Sequence, residues 1–149
     1  MGVSTDGILF YGICLPEESY EWSDDSNCFI EEKLGLKDQS GLFDEHGEYA
    51  VEEGTEEHER RKKLWHKHKD RCMAARKELG ANVDIHCSYN YPMNYIFAEG
   101  SRIRASRGYP EEVKSLEVKP EWDVNIRKLC DILGVEYEQP KWYLVSLWG

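Results

Sequence analysis

The pattern of apolar and polar positions changes period several times along the chain, and each change marks an element. Residues 7–15 (Gly7-Ile8-Leu9-Phe10-Tyr11-Gly12-Ile13-Cys14-Leu15) are a short, nearly continuous apolar run followed by Pro16. Its length and aromatic content predict a strand. Both alternating sets are apolar, so the strand is placed centrally in a sheet. Gly12 inside it predicts a bulge or a close packing contact. From residue 16 to residue 54 no period holds. Glu, Asp, Ser and Gly dominate there, with apolar anchors at Trp22, Phe29, Leu34, Leu36, Leu42 and Phe43. The stretch is too long for an ordinary loop and reads as an irregular acidic insertion with a short helix or two.

A helical period then sets in. Thr55 is suited to cap a helix, and Glu56, Glu57 and Glu59 follow where the helix dipole favours anions. Leu64, Trp65, His68, Cys72, Ala75 and Leu79 recur at spacings of three and four, and Gly80 stops the run. This predicts a long helix over 55–79. Residues 82–89 alternate: Val83, Ile85, Cys87 and Tyr89 on one face, Asn82, Asp84, His86 and Ser88 on the other. Asn90-Tyr91-Pro92 reads as a turn. Residues 93–99 and 102–106 read as two strands joined in a hairpin by Gly100-Ser101. A second helix is predicted over 120–133, begun by Pro120 and closed by Gly134, with Trp122, Ile126, Leu129, Cys130 and Leu133 as its apolar face. Residues 141–148 alternate again as a last strand. Together these predict one α+β domain over 1–149. It is a mostly antiparallel sheet of about five strands, packed by a long helix (55–79) and a second helix (120–133).

Charge sharpens this picture. The chain carries a net charge of −10, but unevenly: residues 16–59 hold sixteen acids against two bases, and residues 60–77 nine bases against one acid. The expected domain is therefore dipolar, an acidic insertion beside a basic helix. Five cysteines, an odd number without a CxxC pair, argue against a disulfide framework or a zinc ribbon. No stretch is apolar enough to span a bilayer, and the first residues lack the basic region of a secretory signal. No cofactor is expected, because nucleotide loops, nucleophile elbows and EF-hands are all missing from the sequence.

Four groups of residues have chemical interest. His86 and Cys87 are neighbours on a strand, so their side chains diverge and do not form a nucleophile–base pair with each other. No catalytic residue is assigned from them. His68 and Cys72 lie four apart on one helix face, a metal-compatible spacing, but two further ligands are missing and the adjacent lysines oppose a cation. No metal is expected. The basic cluster Arg60 to Arg71 has the composition of a phosphate-tracking helix, yet the acids just before it are placed to neutralise it. Arg102 and Arg104 alternate on one strand face, with Arg107 close behind. Together with His86, Ser88 and Tyr91 they predict a cationic, aromatic binding patch. On the acidic side Asp24, Asp25, Glu52 and Glu53 are the corresponding candidates.

Two segments also carry a likeness. His86-Cys87-Ser88-Tyr89-Asn90-Tyr91-Pro92-Met93 and Arg104-Ala105-Ser106-Arg107-Gly108-Tyr109-Pro110-Glu111 resemble a family of small accessory proteins carried by tailed phages and prophages. The opening Gly2-Val3-Ser4-Thr5-Asp6 and the aromatic stretch from Trp142 to Trp148 fit the same resemblance, which does not extend over 16–54. It implies a protein of the bacterial host's cytoplasm that binds a host protein complex and inhibits or redirects it, in the manner of anti-defence or anti-CRISPR inhibitors. The acidic segment would then be suited to mimic nucleic acid. Two alternatives stand beside it. One is a small enzyme acting on a nucleotide or protein, with Cys87, His86, the arginines and a carboxylate such as Asp6 or Asp84. The other is a direct nucleic-acid binder using the basic helix 60–77.

Overall fold

A computed structural model of the chain describes residues 4–16 and 26–149, with the backbone alone for residues 26–29. Its elements run β1 (Thr5–Cys14), α1 (Ser26–Lys33), α2 (Glu56–Leu79), β2 (Ala81–Ser88), β3 (Pro92–Ala98), β4 (Ile103–Ala105), α3 (Pro120–Leu133) and β5 (Lys141–Trp148). The architecture is the expected mixture of helices with a five-stranded, mostly antiparallel sheet. Among the described residues the one parallel pairing joins the ends of β2 and β5, at Cys87 with Leu147 and Ser88 with Trp148.

The apolar run of β1 is central, as its two apolar faces required. β5 pairs along one edge from Thr5 to Gly12. The other edge takes β4 at Gly7–Leu9 and β3 at Gly12–Cys14. Since β3 also pairs with β2, and β2 with β5, the pairings close into a circuit of four strands. This explains the two separate clusters of the core. Inside the curled sheet lie Ile8, Phe10, Tyr95, Phe97 and Leu147. On its outer side Tyr11, Ile13, Val83 and Ile96 pack against Trp122, Ile126, Leu129 and Leu133 of α3. The apolar face predicted for α3 is buried throughout.

The hairpin expected at Gly100-Ser101 is corrected. β3 and β4 both pair with β1 and continue one another along its edge. Phe97 lies opposite Gly12 and Ile103 opposite Leu9, so residues 98–102 stand against only Phe10 and Tyr11. The surplus residues bulge outward. Ser101, buried at the bulge, replaces the missing ladder partners. Its hydroxyl accepts from the Tyr11 amide at 3.2 Å and donates to the Ala98 carbonyl at 2.7 Å. Gly-Ser is a turn signal in either setting, so the two arrangements look alike along the chain.

Thr55 caps α2 by accepting from the His58 amide, and Gly80 ends it in the left-handed region. Along the predicted stripe His68, Cys72 and Leu79 are buried, while Leu64 is exposed. His58, absent from that stripe, is buried instead. The reason is the insertion, whose Phe43 and Tyr49 stack at 5.3 Å and lay Tyr49 edge-on against His58. Leu42 is buried beside them, so part of the acidic segment is anchored on α2. Trp22, Asp24 and Asp25 lie outside the described residues, and the side chain of Phe29 is likewise not described.

A buried phenol ties β1 to α3. Tyr11 donates its hydroxyl to Asp123 at 2.8 Å. Burial first, and then the Asp123 carboxylate, pushes its pKa from 10.0 up to about 12. In the unfolded chain the phenol titrates near 10. Between these values the folded state holds the proton that the unfolded state has lost. The resulting stabilisation is complete below about pH 10 and disappears as pH rises toward 12. Urea unfolding over this range is expected to show a shallower loss of stability in Tyr11→Phe than in the wild type. Equal slopes would contradict the assignment.

Candidate functional site

The bulge between β3 and β4 decides where Arg102 goes. Its guanidinium lies over the ring of Phe97, 4.4 Å from the centroid, and reaches back across the curled sheet to β2. There Nη1 donates to Asp84 and lies 3.5 Å from the Tyr95 hydroxyl. Asp84 stands directly opposite Tyr95 in the β2–β3 register, which is why one arginine meets both. Arg104, two residues on, is paired with Ile8 in register and contacts Asp6 on the same face of β1. Its Nε and Nη2 both reach Asp6 Oδ2, at 2.7 and 2.5 Å. The Tyr89 hydroxyl also accepts from Arg104.

The two arginines predicted to project together are thus brought to one face, but each with a carboxylate. The patch is an alternation of ion pairs, and its local charge is balanced. The reason is the register: Arg104 pairs with Ile8, two residues from Asp6 on the same face of β1, while β2 sets Asp84 opposite Tyr95, within reach of Arg102. Arg102 and Asp84 are about one-third exposed and Arg104 slightly more. The pairs are reachable from solvent, and their contribution to stability is small, about 1 kcal/mol or less each.

His86 joins this group. Its ring lies 6.0 Å from that of Tyr95. Burial holds its imidazole below the ordinary histidine pKa, so it is neutral at pH 7. Its Nε2 is buried and has no hydrogen-bond partner among the described residues. Tyr95 is fully buried between Phe10 and the arginine, and burial raises its phenol.

Ser88 does not share an exposed polar face with His86. Cys87 has a φ of 73°, which breaks the alternation at the end of β2. Ser88 is buried, and its hydroxyl accepts from the Tyr91 amide at 3.1 Å. It therefore holds the β2–β3 turn that displays Tyr89 and Tyr91, which are 63% and 77% exposed. Trp148, half-exposed, is paired beside Ser88, and Gly149 lies against the Tyr89 ring. Tyr89 and Trp148 were not singled out from the sequence. Their proximity follows from the parallel β2–β5 contact, which joins segments sixty residues apart.

The remaining candidates lie elsewhere. Arg107 follows β4 in an exposed turn closed by Tyr109 N to Ser106 O. Glu52 and Glu53 are exposed in the turn before α2. On the basic helix, Arg60 and Arg61 both pair with Glu57, and Arg61 also donates to the Gly41 carbonyl at 2.6 Å. Arg76 faces Glu31. Carboxylates thus engage part of the helix's positive charge. No helix among the described residues is long and apolar enough to cross a membrane.

No family model matches the chain, and neither the curated proteins nor the solved structures contain a significant match.

Proposed function

We propose that the protein is a binding module that recognises a partner protein through the face carrying Tyr89, Tyr91, Arg102, Arg104 and Trp148. The observation that carries this reading is the gathering of exposed tyrosines, a tryptophan and two part-exposed arginines at one end of the sheet. Tyrosine, tryptophan and arginine dominate the energetic centres of protein interfaces. Here the arginines are held by Asp84 and Asp6 before any partner arrives, so little side-chain freedom is lost on binding. The phage-protein resemblance of residues 86–112 supports a complex of the bacterial host as the partner. Binding would inhibit or redirect that complex. The net charge of −10 favours approach to a basic surface, including one that otherwise holds nucleic acid.

The test is affinity capture from bacterial lysate with the full chain, followed by measured affinities for the recovered partner. Tyr91→Ala and Arg104→Ala are each expected to weaken binding about 10-fold or more. Lys62→Ala on the far element α2 is expected to leave it unchanged. Recovery of no protein at moderate salt, or equal binding by all variants, would overturn the reading.

A further inference from the structure

Glu31 of α1, and His68 and Cys72 of α2, place one ligand atom each within 4.8 Å of one another. The His68–Cys72 spacing was metal-compatible in the sequence but lacked further ligands. The fold adds a third donor from a different helix. We infer that these three residues form a binding site for a zinc-type divalent cation, with a fourth position left open.

The distances fit this use. His68 Nε2 lies 3.4 Å from Cys72 Sγ. Zinc bonds of about 2.0 Å to nitrogen and 2.3 Å to sulfur, at a tetrahedral angle, place the two donors about 3.5 Å apart. That edge of the tetrahedron is already formed, and the Glu31 carboxylate, within 4.8 Å of both donors, supplies the third ligand. The donors are also sheltered: Cys72 is fully buried, and His68 nearly so. His68 also lines a surface cavity of about 420 Å³ together with Gln39, Ser40, Leu64, Lys67 and Arg71.

Positive charge nearby weighs against a cation. Arg76 Nε stands 3.6 Å from Glu31 Oε1, and Arg71 and Arg76 both act on Cys72. A bound dication is offset by the thiolate and the carboxylate, the thiol proton leaving to solvent. Glu31 has two oxygens, so one can remain with Arg76 while the other ligates.

Cobalt(II) added to the chelator-treated, reduced full chain reads out this arrangement directly. The expected result is one ion per chain, with the strong visible bands of four-coordinate cobalt and a sulfur-to-metal charge-transfer band. Cys72→Ala is expected to abolish the charge-transfer band, and Cys87→Ala to leave it intact. Glu31→Gln and His68→Asn are expected to weaken binding about 10-fold or more. Cys72→Ser, closer to the thiol in size, serves in place of Cys72→Ala if the alanine variant does not fold. Circular dichroism without metal establishes that each variant is folded. No stoichiometric binding, a six-coordinate spectrum, or a charge-transfer band that persists without Cys72 would overturn the site.

Discussion

Gly12→Ala is expected to be among the most destabilising small substitutions in this protein. A methyl group at that position would stand 1.8 Å from the Ile96 carbonyl oxygen, 2.8 Å from its carbon and 2.9 Å from the Phe97 Cα. All three are backbone atoms, so no side chain can rotate away. Gly12 pairs with Phe97 on one side and Lys141 on the other. Relief requires β1 to part from β3, which opens the circuit of strands. The expected loss is roughly 4 kcal/mol or more, at the upper end of what overpacking produces. Such a loss is a large share of the roughly 5–15 kcal/mol by which a domain is stable. Gly7→Ala on the same strand is the control, because nothing lies within 4 Å of the place its methyl group would occupy and its φ is not in the left-handed region. It is expected to be neutral or slightly stabilising, since alanine loses less backbone entropy. Urea unfolding of both variants measures the contrast. Equal midpoints would show that β1 and β3 are not in such close contact.

Phe10→Ala is expected to cost roughly 3–5 kcal/mol. The ring is fully buried, stacked at 4.1 Å on Tyr95 and at 5.6 Å on Tyr143. Its removal leaves a cavity inside the curled sheet, where the surrounding strands limit collapse. The effect reaches the candidate site through one contact. Tyr95 is stacked on Phe10 on one side and touches Arg102 through its hydroxyl. The variant is therefore expected to lose near-ultraviolet circular dichroism from tyrosine along with stability. Phe10→Leu keeps most of the volume and is expected to cost about 1.5 kcal/mol or less. Denaturation midpoints separate the two. A cost below about 1 kcal/mol for the alanine variant would mean that the interior of the sheet is not closed around this ring.

These two positions also show how far the sequence could be read. The strand carrying both was evident from its apolar run, and Gly12 announced a close approach. Which backbone approached it was not evident, because Gly12 and Phe97 are far apart along the chain. The same division holds at the site. Arg102 and Arg104 were visible as an alternating pair. Asp6 and Asp84 were named beside them as candidate carboxylates, but which arginine each would meet was not evident, since both come from other strands and reach the arginines only through register. Ser88 looked exposed by alternation, but the left-handed Cys87 turned it inward.

By itself the sequence determined the two principal helices, their ends and the buried face of α3. Those depend on interactions within one or two turns, which spacing along the chain records. It also determined that β1 is central, because a strand apolar on both faces must be covered on both. The tertiary structure alone decided that β3 and β4 continue along one edge of β1, that a bulge aims Arg102 at Asp84, and that Glu31 comes to His68 and Cys72. Each of these depends on which distant segments are brought together when the strand circuit closes, and local periodicity carries no record of that.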